Sequence, residues 1–322
     1  MNTKHRIDFH QHVVPPFWAS DLPSHGGDPS GWESPQWSPE AAINFMDSIG
    51  TTKGVLSLTA PSVAGWKGEE RRAMARRVNN YTAKLVKESN GRFGNFATVP
   101  LPDVEGAVLE AKRALDELNA EGVVLLTNYE GKYLGDPAFE PLWKILNERS
   151  AIVFIHPGAP QIKVLPGMPG PMIDYPFDTT RTAVHMVANG VLDRHTQVKC
   201  ILSHAGGFVP YAALRFAGAL SMLNPDKFTV EGVMERLRQF YFDTALSSGD
   251  TTVKALLEFA CPGHVLFGSD FPYAPAPAAT MFTRQLDENS GISDSDKAAI
   301  NYGNGKKLLS EQSRRQYPKS RM

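Results

Sequence analysis

Two histidines two residues apart, His10 and His12 in the run RIDFHQH, leave the same face of an extended chain and make half of a metal site. A pair of this kind arises by chance in many chains. Three further segments, however, end in a ligand type where a strand pattern stops: AIVFIHPG with His156, VKCILSHAGG with His204, and HVLFGSDFP with Asp270. Imidazole nitrogens and a carboxylate are donors that a zinc-like divalent cation accepts. A cation with an open position activates water, polarises a carbonyl, or holds a substrate carboxylate beside a phenol oxygen. The first two of these effects need a neighbouring group that moves protons. Taken singly, His156 or His204 reads as a core or capped residue; in company with His10, His12 and Asp270 the set is specific. Asp8 shares the strand of the histidine pair and reads as a residue that orients a neighbour rather than as a further donor. His185 lies in a helix pattern, His195 and His264 fall on the N-terminal side of strands, and His5 and His25 sit near flexible segments, so all five stay outside the site.

The elements that must carry these residues are short β-branched runs alternating with amphipathic stretches, the signature of repeated βα units around a parallel sheet. Strands are predicted over Arg6 to His10, Gly54 to Leu58, Gly94 to Val99, Gly122 to Thr127, Ile152 to His156, Val198 to His204, Phe240 to Thr244 and Val265 to Asp270. Helix patterns between them include Pro39 to Ile49, Glu69 to Glu88, Val104 to Asn119 and Thr179 to Leu192. Ser38 followed by Pro39 is a cap and first-turn signal for the first helix. Eight units favour a (β/α)8 TIM barrel with inserted loops over a doubly wound sheet. Such a barrel places its active site at the C-terminal ends of its strands, where the candidate ligands fall. Two segments interrupt the alternation: the Pro- and Gly-rich stretch from Gly158 to Pro176, read as a lid or wall over the site with a tolerated surface insertion as the alternative, and an extra helix over Asn224 to Arg238, read as packing or an oligomer contact rather than a site element. Glu311 to Met322, with Arg314, Arg315, Lys319 and Arg321, reads as a loose solvated end.

The 322 residues are 42% hydrophobic, enough for one large core, and residues 1–322 are expected to form a single domain. A net charge of -1 with dispersed Lys and Arg leaves no electrostatic footprint for nucleic acid or an anionic membrane. No apolar run approaches the roughly 20 residues needed to span a bilayer, and the opening MNTKHRIDFH lacks an apolar leader. A cytoplasmic location is the default. Cys200 and Cys261 read as reduced thiols without a chemical role.

RIDFHQHVVPP, IHPG at His156, SHAGGFVPYAALR from Ser203 to Arg215, and LFGSDFPYA from Leu266 to Ala274 together carry a resemblance. The chain resembles the amidohydrolase superfamily, in the branch typified by aminocarboxymuconate-semialdehyde decarboxylase, which includes decarboxylases of hydroxybenzoates such as 6-methylsalicylate. The resemblance implies one metal ion held by His10, His12, His156 and Asp270, with His204 as an acid–base residue. Zinc is preferred and manganese also suits the donor set. Binuclear members of the superfamily bridge two metals with a modified Lys from the fourth strand. That strand here reads GVVLLTN and has none.

The resemblance further implies that Arg215 binds the substrate carboxylate, by two parallel hydrogen bonds in a neighbouring subunit's site, which makes a homodimer or higher homo-oligomer functional. Taken alone, Arg215 also reads as a solvated helix-surface residue. Arg181, in PFDTTR, pairs with Asp178 or binds an acid. A second substrate-contacting Arg of the family, after the first strand, has no counterpart because Trp18 to Pro39 contains no Arg. This departure favours a monocarboxylate over a muconate. Specificity is expected from side chains around Trp18, Met172, Tyr175 and Tyr273. The expected function is non-oxidative decarboxylation of a small aromatic or unsaturated acid, with Asp270 or His204 bringing a proton to the carbon that bears the carboxylate. A metal-dependent hydrolase such as a lactonase would use the same ligands.

Overall fold

The protein's structure, a computed structural model, describes residues 5–160 and 167–316, with side chains through Gln312. Eight parallel strands follow one another around a sheet in sequence order: β1 (Arg6–His12), β2 (Thr51–Ser57), β3 (Phe93–Thr98), β4 (Gly122–Leu126), β5 (Ile152–His156), β6 (Lys199–Leu202), β7 (Tyr241–Asp243) and β8 (Val265–Leu266). β1 also meets the segment after β8, with Phe9 N donating to Phe267 O at 3.0 Å and Asp270 N to His10 O at 2.8 Å. The eight-stranded sheet therefore comes round on itself as the expected TIM barrel. The helices that follow the strands are α1 (Pro39–Ser48), α2 (Gly68–Glu88), α3 (Val104–Asp116), α4 (Glu140–Glu148), α5 (Gly170–Ala188), α6 (Val209–Leu223), α7 (Asp250–Phe259) and α8 (Ala276–Glu288). The extra helix is present as Val230–Arg238. No helix among the described residues is long and apolar enough to cross a membrane.

Strand alternation sorts the core into two shells. One buried cluster takes at least one residue from every strand, among them Phe9, Val55, Phe96, Phe154 and Leu266, which only the barrel interior can bring together. A larger cluster joins outward residues such as Val123, Val153 and Leu202 to the helices. Strict alternation from Ile7 and Phe9, both interior, would turn His10 and His12 outward. A register shift between Asp8 and Gln11 breaks the alternation, so that His10 packs edge-on against the interior ring of Phe154, centroids 4.9 Å apart.

Three expectations need correction. The helix expected from Thr179 begins at Gly170, so the end of the Pro-rich stretch, Gly170 to Pro176, is helical. Pro171 occupies the first turn, where a missing N–H is harmless, and Tyr175 is buried beyond it. Residues 161–166 of that stretch lie outside the described residues. Trp18 does not face a loop: it is fully buried and donates to Ser62 O at 2.8 Å. The segment expected to be loose is helical through Gln316, because Leu308 packs into the barrel interior from below. Lys319 and Arg321 lie outside the described residues.

Arg6 latches the lower end of β1. Its buried guanidinium donates to both carboxylate oxygens of Asp287 at 2.5 and 2.6 Å, to Asn301 Oδ1 at 3.0 Å, and to Ile49 O at the end of α1. Removing one partner of a buried ion pair leaves the other uncompensated. Arg6→Ala should therefore lower the unfolding free energy by about 3–5 kcal/mol in a denaturant titration. A loss below 1 kcal/mol would show that α8 does not depend on this latch.

Candidate active site

The upper ends of β1, β5, β6 and β8 bring His10, His12, His156, His204 and Asp270 to one point. Ligand atoms of His10, His156, His204 and Asp270 all lie within 4.8 Å of one another and are largely buried. His12 joins them: its Nε2 is 3.1 Å from His10 Nε2 and 3.0 Å from Asp270 Oδ1. His204 Nε2 is 3.3 Å from Asp270 Oδ2. The candidate residues of the sequence thus meet, with His204 as near to the common point as the other four.

Three of the histidines have their outer ring nitrogen engaged. His10 Nδ1 donates to Asp243 Oδ2 at 2.8 Å, His12 Nδ1 to Ser57 O at 3.2 Å, and His156 Nδ1 to Pro157 O at 2.9 Å. A carboxylate or carbonyl can only accept, so each Nδ1 carries a proton and each Nε2 is the nitrogen turned toward the centre. His204 differs, because its Nδ1 is buried without a hydrogen-bond partner among the described residues. A buried cluster of this kind demands positive charge. Burial alone would lower the His10 pKa, but the Asp243 and Asp270 carboxylates outweigh it and push it up to about 10. Burial would raise the Asp270 carboxyl, yet His10 and hydrogen bonds from the three surrounding imidazoles hold it well below the usual range. Burial and the neighbouring rings of His12, His10 and His204 keep His156 neutral, with its pKa well below the ordinary value.

Local backbone serves the same point. His204 and Asp270 adopt φ of 53° and 63°, a left-handed conformation that is uncommon outside glycine and concentrates at functional sites. Gly207 follows at φ 63°, where a Cβ would sit 2.1 Å from Pro176 O. Asp8 accepts from Ser269 Oγ at 2.6 Å and from the backbone N–H groups of His10 and Ser269 at 3.1 Å. Burial pushes its carboxyl up to about 7. It lies one layer beneath the cluster and braces the turn that aims Asp270.

Asp243 is the functional residue that sequence reasoning missed. One oxygen accepts the hydrogen bond from His10 Nδ1, and the other accepts from His204 N at 3.0 Å and Ala245 N at 2.9 Å. Its signal was present: an Asp near the end of the strand pattern Phe240 to Thr244, as Asp270 ends another.

A cavity of about 460 Å³ opens over the cluster, with His156, His204 and Asp270 in its floor. Met172, Tyr175 and Tyr273 line it as expected, together with Trp32 and Phe208. No Lys or Arg is among its described lining residues. Arg215 is exposed on α6, outside that lining, and Arg181 pairs with Asp178 at 3.5 Å. Cys200 and Cys261 are unpaired and away from the cluster.

A family model described as an amidohydrolase matches residues 7–310. The chain belongs to the amidohydrolase family. Among curated relatives of this amidohydrolase, a decarboxylase of Aspergillus niger is 42% identical over 94% of this chain and 87% of that protein. The 6-methylsalicylic acid decarboxylase of Aspergillus aculeatus is 42% identical over 88% of this chain and 89% of the relative. A solved dihydroxybenzoic acid decarboxylase from a Polaromonas species, with bound manganese and the inhibitor 2-nitroresorcinol, superposes with a TM-score of 0.76. It is 23% identical and the match covers 96% of this chain and 97% of that one, a likeness of fold.

The Asp243 contact yields a test. Asp243→Asn leaves the volume unchanged but weakens the hydrogen bond that holds His10's tautomer. Divalent-metal affinity, measured by competition with a chromophoric chelator, should fall about 10- to 100-fold. Affinity equal to that of the natural protein would remove His10 from the ligand set or Asp243 from its support.

Proposed function

We propose that this amidohydrolase is a metal-dependent, redox-neutral decarboxylase of a small aromatic monocarboxylic acid of the hydroxybenzoate or 6-methylsalicylate type. The observation that carries the reading is the cluster of imidazoles and one carboxylate under a cavity without Lys or Arg among its described lining residues. Similarity to decarboxylases over nearly the whole chain supports it.

The donor set fits one divalent ion. His10, His12 and His156 present oriented Nε2 atoms, and Asp270 supplies an oxygen 3.0 Å from His12 and 3.2 Å from His10. Three nitrogens and one oxygen favour zinc, with manganese, the metal of the Polaromonas relative, as the alternative. Bound there, the ion would supply positive charge to hold the substrate carboxylate and an adjacent oxygen. His204 is the acid–base residue of the proposal, because its outer nitrogen is unanchored and its side chain keeps 11% exposure where those of His10 and His12 have none. His204 delivers a proton to the ring carbon bearing the carboxylate, while Asp270 stays ionised beside it. The carbon–carbon bond then breaks, its electron pair restores the aromatic ring, and CO2 leaves. Tyr175 and Phe208 give the ring apolar faces to pack against.

The proposal extends to assembly. Arg215 shares α6 with Tyr211, Leu214, Met222 and Leu223, all exposed, an apolar face that a second copy would cover. Arg215 would then serve the carboxylate in the partner's cavity, which supplies no cation from the described residues of its own chain.

The purified protein should contain one divalent ion per chain and release CO2 from a salicylate-type acid without consuming water; hydrolysis of a lactone in its place would make it a hydrolase. His204→Ala should retain the metal and lose about 10²- to 10⁴-fold in turnover. A metal-free His204→Ala protein would reassign that residue as a ligand. For the shared site, mixing Arg215→Ala chains with His156→Ala chains should restore activity, since one hybrid site holds both intact parts. No rescue from subunits shown to exchange would return Arg215 to its own surface.

A further inference from the structure

Asp178 lies outside the cluster, on α5, yet its carboxylate is completely buried. It accepts hydrogen bonds from Thr127 Oγ1, from Asn128 Nδ2 at 2.8 Å and from Tyr133 Oη at 2.6 Å, with half-exposed Arg181 3.5 Å away. A polar group so deeply buried is tolerated only when its hydrogen-bonding atoms are satisfied, and it then holds its partners in one arrangement. Thr127 is the consequential partner. Its backbone N–H donates to His156 O at 3.0 Å, and its Oγ1 accepts from Gly158 N at 3.0 Å. Thr127 therefore clasps the turn that carries His156 on both sides, and Asp178 accepts the proton that fixes the rotamer of the clasp. Half a turn further along α5, Thr180 Oγ1 accepts from Phe208 N at 2.8 Å in the chain just after His204, and donates to Pro176 O at 2.9 Å. The same helix also supplies Met172 and Tyr175 to the cavity wall.

We infer that Asp178 is a positioning residue for the reaction: through Thr127 it sets the His156 turn, and through α5 it sets the wall above the floor histidines. The inference rests on the proposed decarboxylase reading for its kinetic test but not for its spectroscopic one. An Asn at 178 keeps the volume and places an amide donor among three donors, so the clasp loosens while the barrel core is untouched. A misplacement of about 1 Å at a reacting centre costs on the order of 10²-fold.

The test compares Asp178→Asn, Thr127→Val and Thr127→Ser, each loaded with metal and assayed on the aromatic acid that the natural protein decarboxylates. Expected are a roughly 10- to 100-fold fall in kcat for the first two at unchanged metal content, with KM altered much less, and near-normal kcat for Thr127→Ser, which keeps the hydroxyl. The visible spectrum of the cobalt-substituted protein should shift in the first two variants and not in the third. If Asp178→Asn fails to fold, the isosteric and uncharged Thr127→Val carries the test. A lowered Tm with unchanged kcat and unchanged cobalt spectrum would make Asp178 a structural anchor of the segment carrying Asn128 and Tyr133 and overturn the inference. If the natural protein releases no CO2 from any aromatic acid, the decarboxylase reading fails, and the cobalt spectra alone decide the positioning role.

Discussion

The structure depends on a shortage of positive charge in a dry place. Asp243 and Asp270 reach the mouth of the barrel with side chains that are fully or nearly buried, and the groups facing them are imidazoles. Carboxylates in such surroundings remain ionised only if a cation or a set of donors answers them. The raised His10 pKa expresses that demand as a bound proton. A divalent ion would meet the same demand with more charge, and the Nδ1 contacts of His10, His12 and His156 leave each Nε2 aimed at the centre, where ligation would displace the proton that His10 holds.

The rest of the barrel makes that arrangement tolerable. Beneath the site, Phe9, Phe96 and Phe154 fill the interior, so the floor is rigid and dry and the polar groups have nowhere to relax. At the lower end, the Arg6 latch and the helix carrying Leu308 close the barrel. At the upper end the backbone turns sharply at His204 and Asp270, in conformations that persist only when the surroundings over-determine them. Asp8 under Ser269, and Thr180 against Phe208, are the hydrogen-bonded supports that do so.

The wall above the floor has a different character. α5 and α6 bring Tyr175, Met172 and Phe208 over the cluster, and α6 leaves Tyr211 and Leu214 outside. A cavity lined this way gives an aromatic ring a dry seat, while the described lining contributes no cation of its own.

Much was legible before any coordinates, for reasons that are local. Eight alternating runs announce a barrel because strand and helix periods are written in consecutive residues. His10, His12, His156, His204 and Asp270 stand out because each ends a strand pattern, and strand ends are where a parallel barrel gathers chemistry. Asp243 carried the same local mark, but its role depends on His10, 233 residues away, and no spacing rule links them. Trp18, α5 and the C-terminal helix differ from expectation for a related reason: burial against distant segments overrides local composition, so Pro171 opens a helix and the helix that carries Leu308 packs under the barrel. The division between three anchored histidines and a free one was likewise invisible in sequence. All four are the same residue type, and only the tertiary structure decides which outer nitrogen finds an acceptor, because that acceptor comes from another part of the chain.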